Sequence, residues 1–317
     1  MEFLIYAVLS YLLVCALTTV VDNIQHYSIP TKHWYELCTL TAVILFTRII
    51  AYFVKKMTRI YYASDLHLEH REFDYGILHP IPNSILVLAG DIVPVVSLLT
   101  QLNKLHPSDT DFVDFFEIIS FKFKHVIYVA GNHSLYGSQY NCIGNLKRAL
   151  AEYTNIHVLD CESITLEGID FYGGTCWTDF NREDPQTMLL APKTLMDFRV
   201  IKEGTGKFLP STALQLHKQY LIGLDKFLNT TKNRTVVVSH HSPSHATINP
   251  IYKDQYHMNG LFSSDLTEYM EGIDYFIYGH MHSGLDVVHG DCHVITNPRG
   301  YPHEPSHRNF QMRYIEL

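Results

Sequence analysis

From Arg59 onward the chain alternates short apolar runs with polar, turn-rich segments. The runs are rich in Ile, Val, Tyr and Phe. They predict strands at 60–64, 85–89, 126–130, 169–173, 235–239, 275–278 and 293–296. Helical spacing predicts helices at 111–123, 143–153 and 211–228, the last with Pro210 before it and Ser211 as its candidate cap. Residues 181–209 carry the weakest pattern, and Gly204 and Gly206 mark loop there. There is no internal repeat and no low-complexity linker. Strands alternating with helices predict a layered α/β architecture over residues 59–317.

The first part of the chain reads differently. Residues 3–21 hold no charge and are numerous enough to cross a bilayer as a helix. Residues 37–54 form a second apolar run whose one charge, Arg48, is near enough to its end to snorkel. A cleaved signal peptide would want a basic start, and this chain has Glu2 instead. A buried core helix is the alternative for the second run. The expectation is an anchoring hairpin of two transmembrane helices within 1–58. Lys55, Lys56 and Arg59 follow it and place the rest of the chain on the cytoplasmic side of the membrane. Two sequons, Asn229-Thr230-Thr231 and Asn233-Arg234-Thr235, point the other way but precede a core strand.

Composition adds two constraints. Among 317 residues, 24 Lys+Arg against 32 Asp+Glu give a net charge of -8, which argues against a general nucleic-acid-binding surface. The 20 histidines direct attention to transition metals instead. The 6 cysteines form no CxxC pair and no disulfide framework, so they read as scattered thiols in a reducing compartment. Nothing in the pattern specifies an oligomeric state.

The candidate chemistry sits where predicted strands end: Ser64-Asp65-Leu66-His67, Gly90-Asp91, Gly131-Asn132-His133, Ser239-His240-His241 and Gly279-His280-Met281-His282. The C-terminal edge of a sheet is where α/β folds place ligands. Carboxylate, imidazole and amide oxygen form a mixed N/O donor set that suits Mn, Fe or Zn better than Ca or Mg. In Asp65/His67 and His280/His282 the donors are two apart, so extended backbone points both to one side.

The ordered set D-x-H, G-D, G-N-H, S-H-H-x-P and G-H-x-H resembles the calcineurin-like metallophosphoesterases. Cys176-Trp177-Thr178-Asp179-Phe180, Met196-Asp197-Phe198-Arg199, Phe262-Ser263-Ser264-Asp265-Leu266 and Asn297-Pro298-Arg299-Gly300-Tyr301 are similar to a bacterial and phage branch of that family. The resemblance implies an α/β/β/α sandwich and two divalent transition-metal ions, Mn, Fe or Zn. Asp65, His67 and His282 would hold one, Asn132, His240 and His280 the other, and Asp91 would bridge them. His133 would stand by the scissile phosphate. The implied activity is hydrolysis of phosphomonoesters or phosphodiesters by water activated between the metals. Two alternatives are a pyrophosphohydrolase acting on a membrane-linked nucleotide or lipid, and an inactive membrane-anchored scaffold.

Other side chains stay open at this point. His241 is substrate-facing or a support behind a ligand. Asn297 and Arg299 are candidate substrate contacts, and Arg299 would pair with phosphate or, structurally, with Asp179 or Asp286. Arg199 and His217 read as structural, and His303 and His307 as surface groups.

Overall fold

Alternate residues of the central strands face opposite layers, and both sets are buried. In β1 (Arg59–Ala63), Ile60 and Tyr62 face one way, Tyr61 and Ala63 the other, and all four are buried. In β2 (Ile85–Ala89) the split is Ile85, Val87 and Ala89 against Leu86 and Leu88. Strands buried on both faces read as unbroken apolar runs, which is why they were visible in the sequence. The computed structural model describes residues 57–103 and 111–317, with Thr41 and Ile44 besides. The chain divides into two compact units, Met1–Met57 and Thr58–Leu317.

Further strands follow along the chain: β3 (His125–Val129), β4 (Ile156–Leu159), β5 (Glu162–Leu166), β6 (Ile169–Gly174), β7 (Lys202–Glu203), β8 (Gly206–Lys207), β9 (Arg234–Ser239), β10 (Tyr275–Tyr278), β11 (Val287–His289), β12 (Cys292–Thr296) and β13 (Arg313–Glu316). One sheet has 5 strands in the order β13-β1-β2-β3-β4, the other 6 in the order β11-β12-β10-β9-β6-β5. Within each sheet the inner strands are parallel, so their C-terminal ends share an edge.

Three cores tie four layers together. Ile60, Val87, Ile127, Phe171, Val236 and Ile277 fill the space between the sheets. The outer face of the first sheet packs on α1 (Val95–Leu102), α2 (Asp111–Lys122) and α3 (Ile143–Ala149) through Leu98, Phe116 and Leu146. The outer face of the second packs on the long helix Pro210–Thr230 through Tyr220, Leu224 and Phe227. This is the layered sandwich that the resemblance implied.

Several expectations change. Ser211 does not cap the long helix; Leu209 is extended, Pro210 takes the first helical position with its φ preset, and no side chain caps. The stretch expected to be irregular holds a helix, α4 (Pro185–Thr194), started by Asp184, whose carboxylate accepts from the Thr187 N–H, and then the small hairpin β7–β8. The helix expected at 143–153 stops at Ala149. The two apolar runs at 3–21 and 37–54 lie outside the described residues apart from Thr41 and Ile44. Among the described residues no helix is long and apolar enough to cross a membrane.

Candidate metal centre

The loops leaving β1, β2, β3, β9 and β10 converge where the two sheet edges meet. Asp65, His67 and His282 bring ligand atoms within 4.8 Å of one another, and so do Asp91, His240 and His280. Asp91 also joins His67 and His133 in such a group, so its carboxylate touches both halves. Asn132 completes the second half, its Oδ1 2.9 Å from His240 Nε2. The backbone needed for this is unusual. Asp65 (φ 51), His67 (φ 43), Asp91 (φ 53) and His280 (φ 67) all lie in the left-handed region. Such residues cost roughly 1–2 kcal/mol each and persist only where neighbours hold them. Here the Asp65 carboxylate accepts the His280 N–H at 3.0 and 3.1 Å, and Asp91 Oδ1 accepts the His133 N–H at 2.9 Å. Gly131 lets that loop pass: a Cβ there would collide with Asp91 Oδ1.

Hydrogen bonds assign which ring nitrogens face inward. His67 Nδ1 lies 3.2 Å from Glu69 Oε1, and His282 Nδ1 2.6 Å from Glu304 Oε2. Ionised carboxylates only accept, so both Nδ1 atoms carry hydrogen. The two Nε2 atoms then turn inward and meet at 3.3 Å, where a proton or a cation can sit between them. In the other half, His240 Nδ1 donates to the Ala89 carbonyl at 3.0 Å, which turns Nε2 inward. It faces Asn132 Oδ1 and lies 3.1 Å from Asp91 Oδ2. Asn132 is oriented by donating Nδ2 to Asp197 Oδ1 at 2.8 Å. His280 Nε2 is buried without a protein partner. Imidazole nitrogens, carboxylate oxygens and an amide oxygen converging on one place, with the His280 nitrogen orphaned among them, are a donor set that fits cations.

The electrostatics agree. Burial alone would raise the carboxyls of Asp65 and Asp91, but His282 beside the one and His240 beside the other hold both below the usual carboxylate range. Burial works against charge on the rings too. Yet Asp91 pushes His240 up to about 9, and Asp65 with Glu304 pushes His282 up to about 10. The pocket is built to hold positive charge.

His133 stands just outside, in the wall of a cleft of about 1210 Å³ that also reaches Asp91, Asn132, His280 and His282. Its ring stacks on Tyr136 at 4.1 Å and its Nε2 lies 3.1 Å from the Tyr301 hydroxyl. Burial lowers its pKa, with Asp91 opposing.

The remaining candidates are elsewhere. His241 is buried beside His280, its ring tilted against that one with centroids 4.2 Å apart and its Nδ1 3.3 Å from the Thr175 carbonyl; burial, then the charge of His240, pushes it down to about 3. Arg299 pairs with neither Asp179 nor Asp286. Its guanidinium donates to the carbonyls of Leu66, Arg71 and Glu72, so it shapes the loop that carries His67. Asp286 has Arg313 as its partner. Asn297 donates to the Tyr62 and Gln311 carbonyls. Arg199 donates to the carbonyls of Pro192 and Lys193, and His217 lies buried against the Cys176 carbonyl. His303 is exposed and His307 half-buried.

Residues 58–284 match the sequence pattern described as calcineurin-like phosphoesterase. The chain belongs to the calcineurin-like phosphoesterase family. It is therefore a metallophosphoesterase, an enzyme of phosphoester hydrolysis in a family that uses divalent metal ions, and the scaffold alternative falls away. Uncharacterized protein L509 of Acanthamoeba polyphaga mimivirus is 28% identical over 284 residues, 81% of this chain and 95% of that one. Among solved structures, the phosphopantetheinyl hydrolase PptH from Mycobacterium tuberculosis superposes with a TM-score of 0.60 at 17% identity. That match covers 82% of this chain and 96% of that chain, a likeness of fold.

Sequence reasoning missed the supports of this phosphoesterase's centre: Glu69, Glu304, Asp197 and Tyr136, the last two joined at 2.7 Å. Glu69 had a signal, since it continues the two-residue spacing of Asp65 and His67. Asp197 stood inside a quoted motif, but nothing local tied it to Asn132.

Proposed function

We propose that Asp65, His67 and His282 hold one divalent ion, that Asn132, His240 and His280 hold the other, and that Asp91 bridges them in hydrolysis of a phosphomonoester or phosphodiester. The observation that carries this is the convergence of His67 Nε2 with His282 Nε2, of His240 Nε2 with Asn132 Oδ1 and Asp91 Oδ2, and of the orphaned His280 Nε2, a set in which a bound cation would replace the protons that His240 and His282 otherwise hold. The mixed N/O donors favour Mn, Fe or Zn. Bound there, such ions would polarise the phosphoryl oxygens and acidify water.

The protein's own groups do the rest. Glu69 and Glu304 lock His67 and His282 in the tautomer that turns Nε2 inward, and Asp197 does the same for the Asn132 amide. In hydrolysis the water oxygen bonds to phosphorus, the ester P–O bond breaks and the departing oxygen takes a proton. His133, in the cleft wall with Tyr301 on its Nε2, is placed to supply that proton. A pyrophosphate would ask for a second cationic cradle. Arg313 is the one Lys or Arg among the described cleft residues, and it is paired with Asp286 at 2.5 Å, which speaks against the pyrophosphohydrolase alternative. The test is metal analysis of the purified protein with a chromogenic phosphodiester assay. About two ions per chain and chelator-sensitive turnover are expected; a chain that binds no transition metal sinks the reading.

Attachment to a membrane through residues 3–21 and 37–54, with the catalytic unit cytoplasmic, is a second part of the proposal. Its support is the near absence of charge in those runs and the Lys55, Lys56 and Arg59 that follow. Full-length protein should resist carbonate extraction, and in intact cells the C-terminal unit should be shielded from external protease. Soluble full-length protein would reject the anchor.

A further inference from the structure

We infer that the substrate of this site carries an aliphatic chain, laid along an apolar wall that begins at Phe262; the inference rests on the two-metal reading above. Phe262 stacks on His280 with centroids 5.1 Å apart, so the wall starts in contact with a metal ligand. The cleft is also lined by Met258, Ile251 and Tyr252, and by Leu195 and Met196 just past the end of α4. Ile251, Tyr252 and Met196 are 73%, 43% and 47% exposed. Large apolar groups left in water beside a reaction centre are what an apolar ligand covers.

Charge disfavours a substrate with a second anionic group. The acidic side chains of Asp197, Asp286 and Glu304 line the cleft, and Arg313 spends its guanidinium on Asp286 and the Thr296 carbonyl. No Lys or Arg among the described lining residues is left to meet a second phosphate or a nucleic-acid backbone. Two amides along the wall are each half committed: Asn249 Oδ1 accepts the Ile251 N–H, and Asn259 Nδ2 donates to the Tyr252 carbonyl. A sugar or base laid on the apolar faces of Met258, Phe262 and Leu195 would lose water contacts there. An alkyl chain has no polar group to desolvate there and gains with every methylene covered.

The experiment uses full-length, metal-loaded protein and p-nitrophenyl diesters whose second substituent is methyl, octyl or thymidine, below micellar concentration. All three release the same nitrophenolate, so differences in kcat/KM report on the second substituent. If only monoesters turn over, methyl and octyl phosphate are compared by phosphate release. The octyl ester should be favoured over methyl roughly tenfold to a hundredfold, and thymidine should show no advantage over methyl. In the double variant Ile251→Asp, Tyr252→Asp the octyl-to-methyl ratio should fall toward one. Leu189→Asp, exposed on α4 outside the cleft, should keep it. Calorimetry gives a second readout: octylphosphonate should bind more tightly than methylphosphonate, with a negative heat-capacity change. Equal or better turnover of the methyl or thymidine ester, or a chain preference undiminished in the double variant, overturns the inference and leaves the two-metal reading standing. Absence of all phosphoester hydrolysis rejects the two-metal reading; octylphosphonate binding no tighter than methylphosphonate then rejects the apolar wall as well.

Discussion

The two halves of the centre are stiffened by different means. Asp65, His67 and His282 depend on carboxylates near water: Glu69 behind His67, and Glu304 behind His282, with side chains 18% and 26% exposed. Asn132, His240 and His280 depend on depth. His240 is fully buried and held by a backbone carbonyl, and Asn132 is held by Asp197, whose carboxyl burial pushes up. A charged partner at the surface raises ligand basicity but is screened by salt, whereas a partner buried away from water fixes geometry at any ionic strength. An ion should therefore leave the first half more readily than the second.

The harshest way to break this comparison is to remove what the halves share. Asp91→Asn should lose both ions and fall to background activity, read by metal analysis beside the hydrolysis assay; retention of both ions would show that the halves are independent. His133→Ala comes next. It belongs to neither half, so kcat should fall about 10²–10⁴-fold with both ions retained, and less for esters with very good leaving groups. Metal loss in that variant would make His133 a ligand. A finer cut separates the halves. Glu304→Gln and Asp197→Asn should each weaken one ion by roughly 10–100-fold, the first the ion on His282 and the second the ion on Asn132. Chelator titration should resolve two steps, with the Glu304 variant moving the earlier one; both variants moving the same step would end the comparison.

The smallest effect is a control at the far end of β6. Asp170 accepts from Thr165, Thr231 and Asn233 side chains and from the Lys232 N–H. Burial would raise its pKa, but these donors outweigh burial and hold it below the ordinary value. Its contribution is thus complete above an unfolded-state value of about 4 and lost as pH falls through the lower folded one. Asp170→Asn should cost about 1–3 kcal/mol in denaturant unfolding at neutral pH. It should do so equally with and without chelator; a chelator-dependent cost would couple this network to the metal centre.

What could be read in advance follows a physical line. β1, β2, β3, β9, β10 and β12 are buried on both faces, so they appear as apolar runs ending in Asp, Asn or His. The edge strands β5 and β13 are largely exposed, Glu162–Leu166 and Arg313–Glu316, and carry no such run; only the neighbouring strand makes them strands. α4 hid for a similar reason, since it contains Pro192 and contributes few buried residues. Arg299 misled because a guanidinium near a phosphate site suggests phosphate, while its actual acceptors are three carbonyls of a loop more than two hundred residues away.

By itself, then, the sequence determined the class of chemistry: an ordered series of N/O donors behind buried parallel strands, whose type and spacing are local properties. Only the tertiary structure decided which nitrogen of each imidazole faces inward, since that depends on Glu69, Glu304 and the Ala89 carbonyl. It likewise decided that Asp65, His67, Asp91 and His280 adopt left-handed backbone, which no local preference would choose and only hydrogen bonds between distant loops can hold.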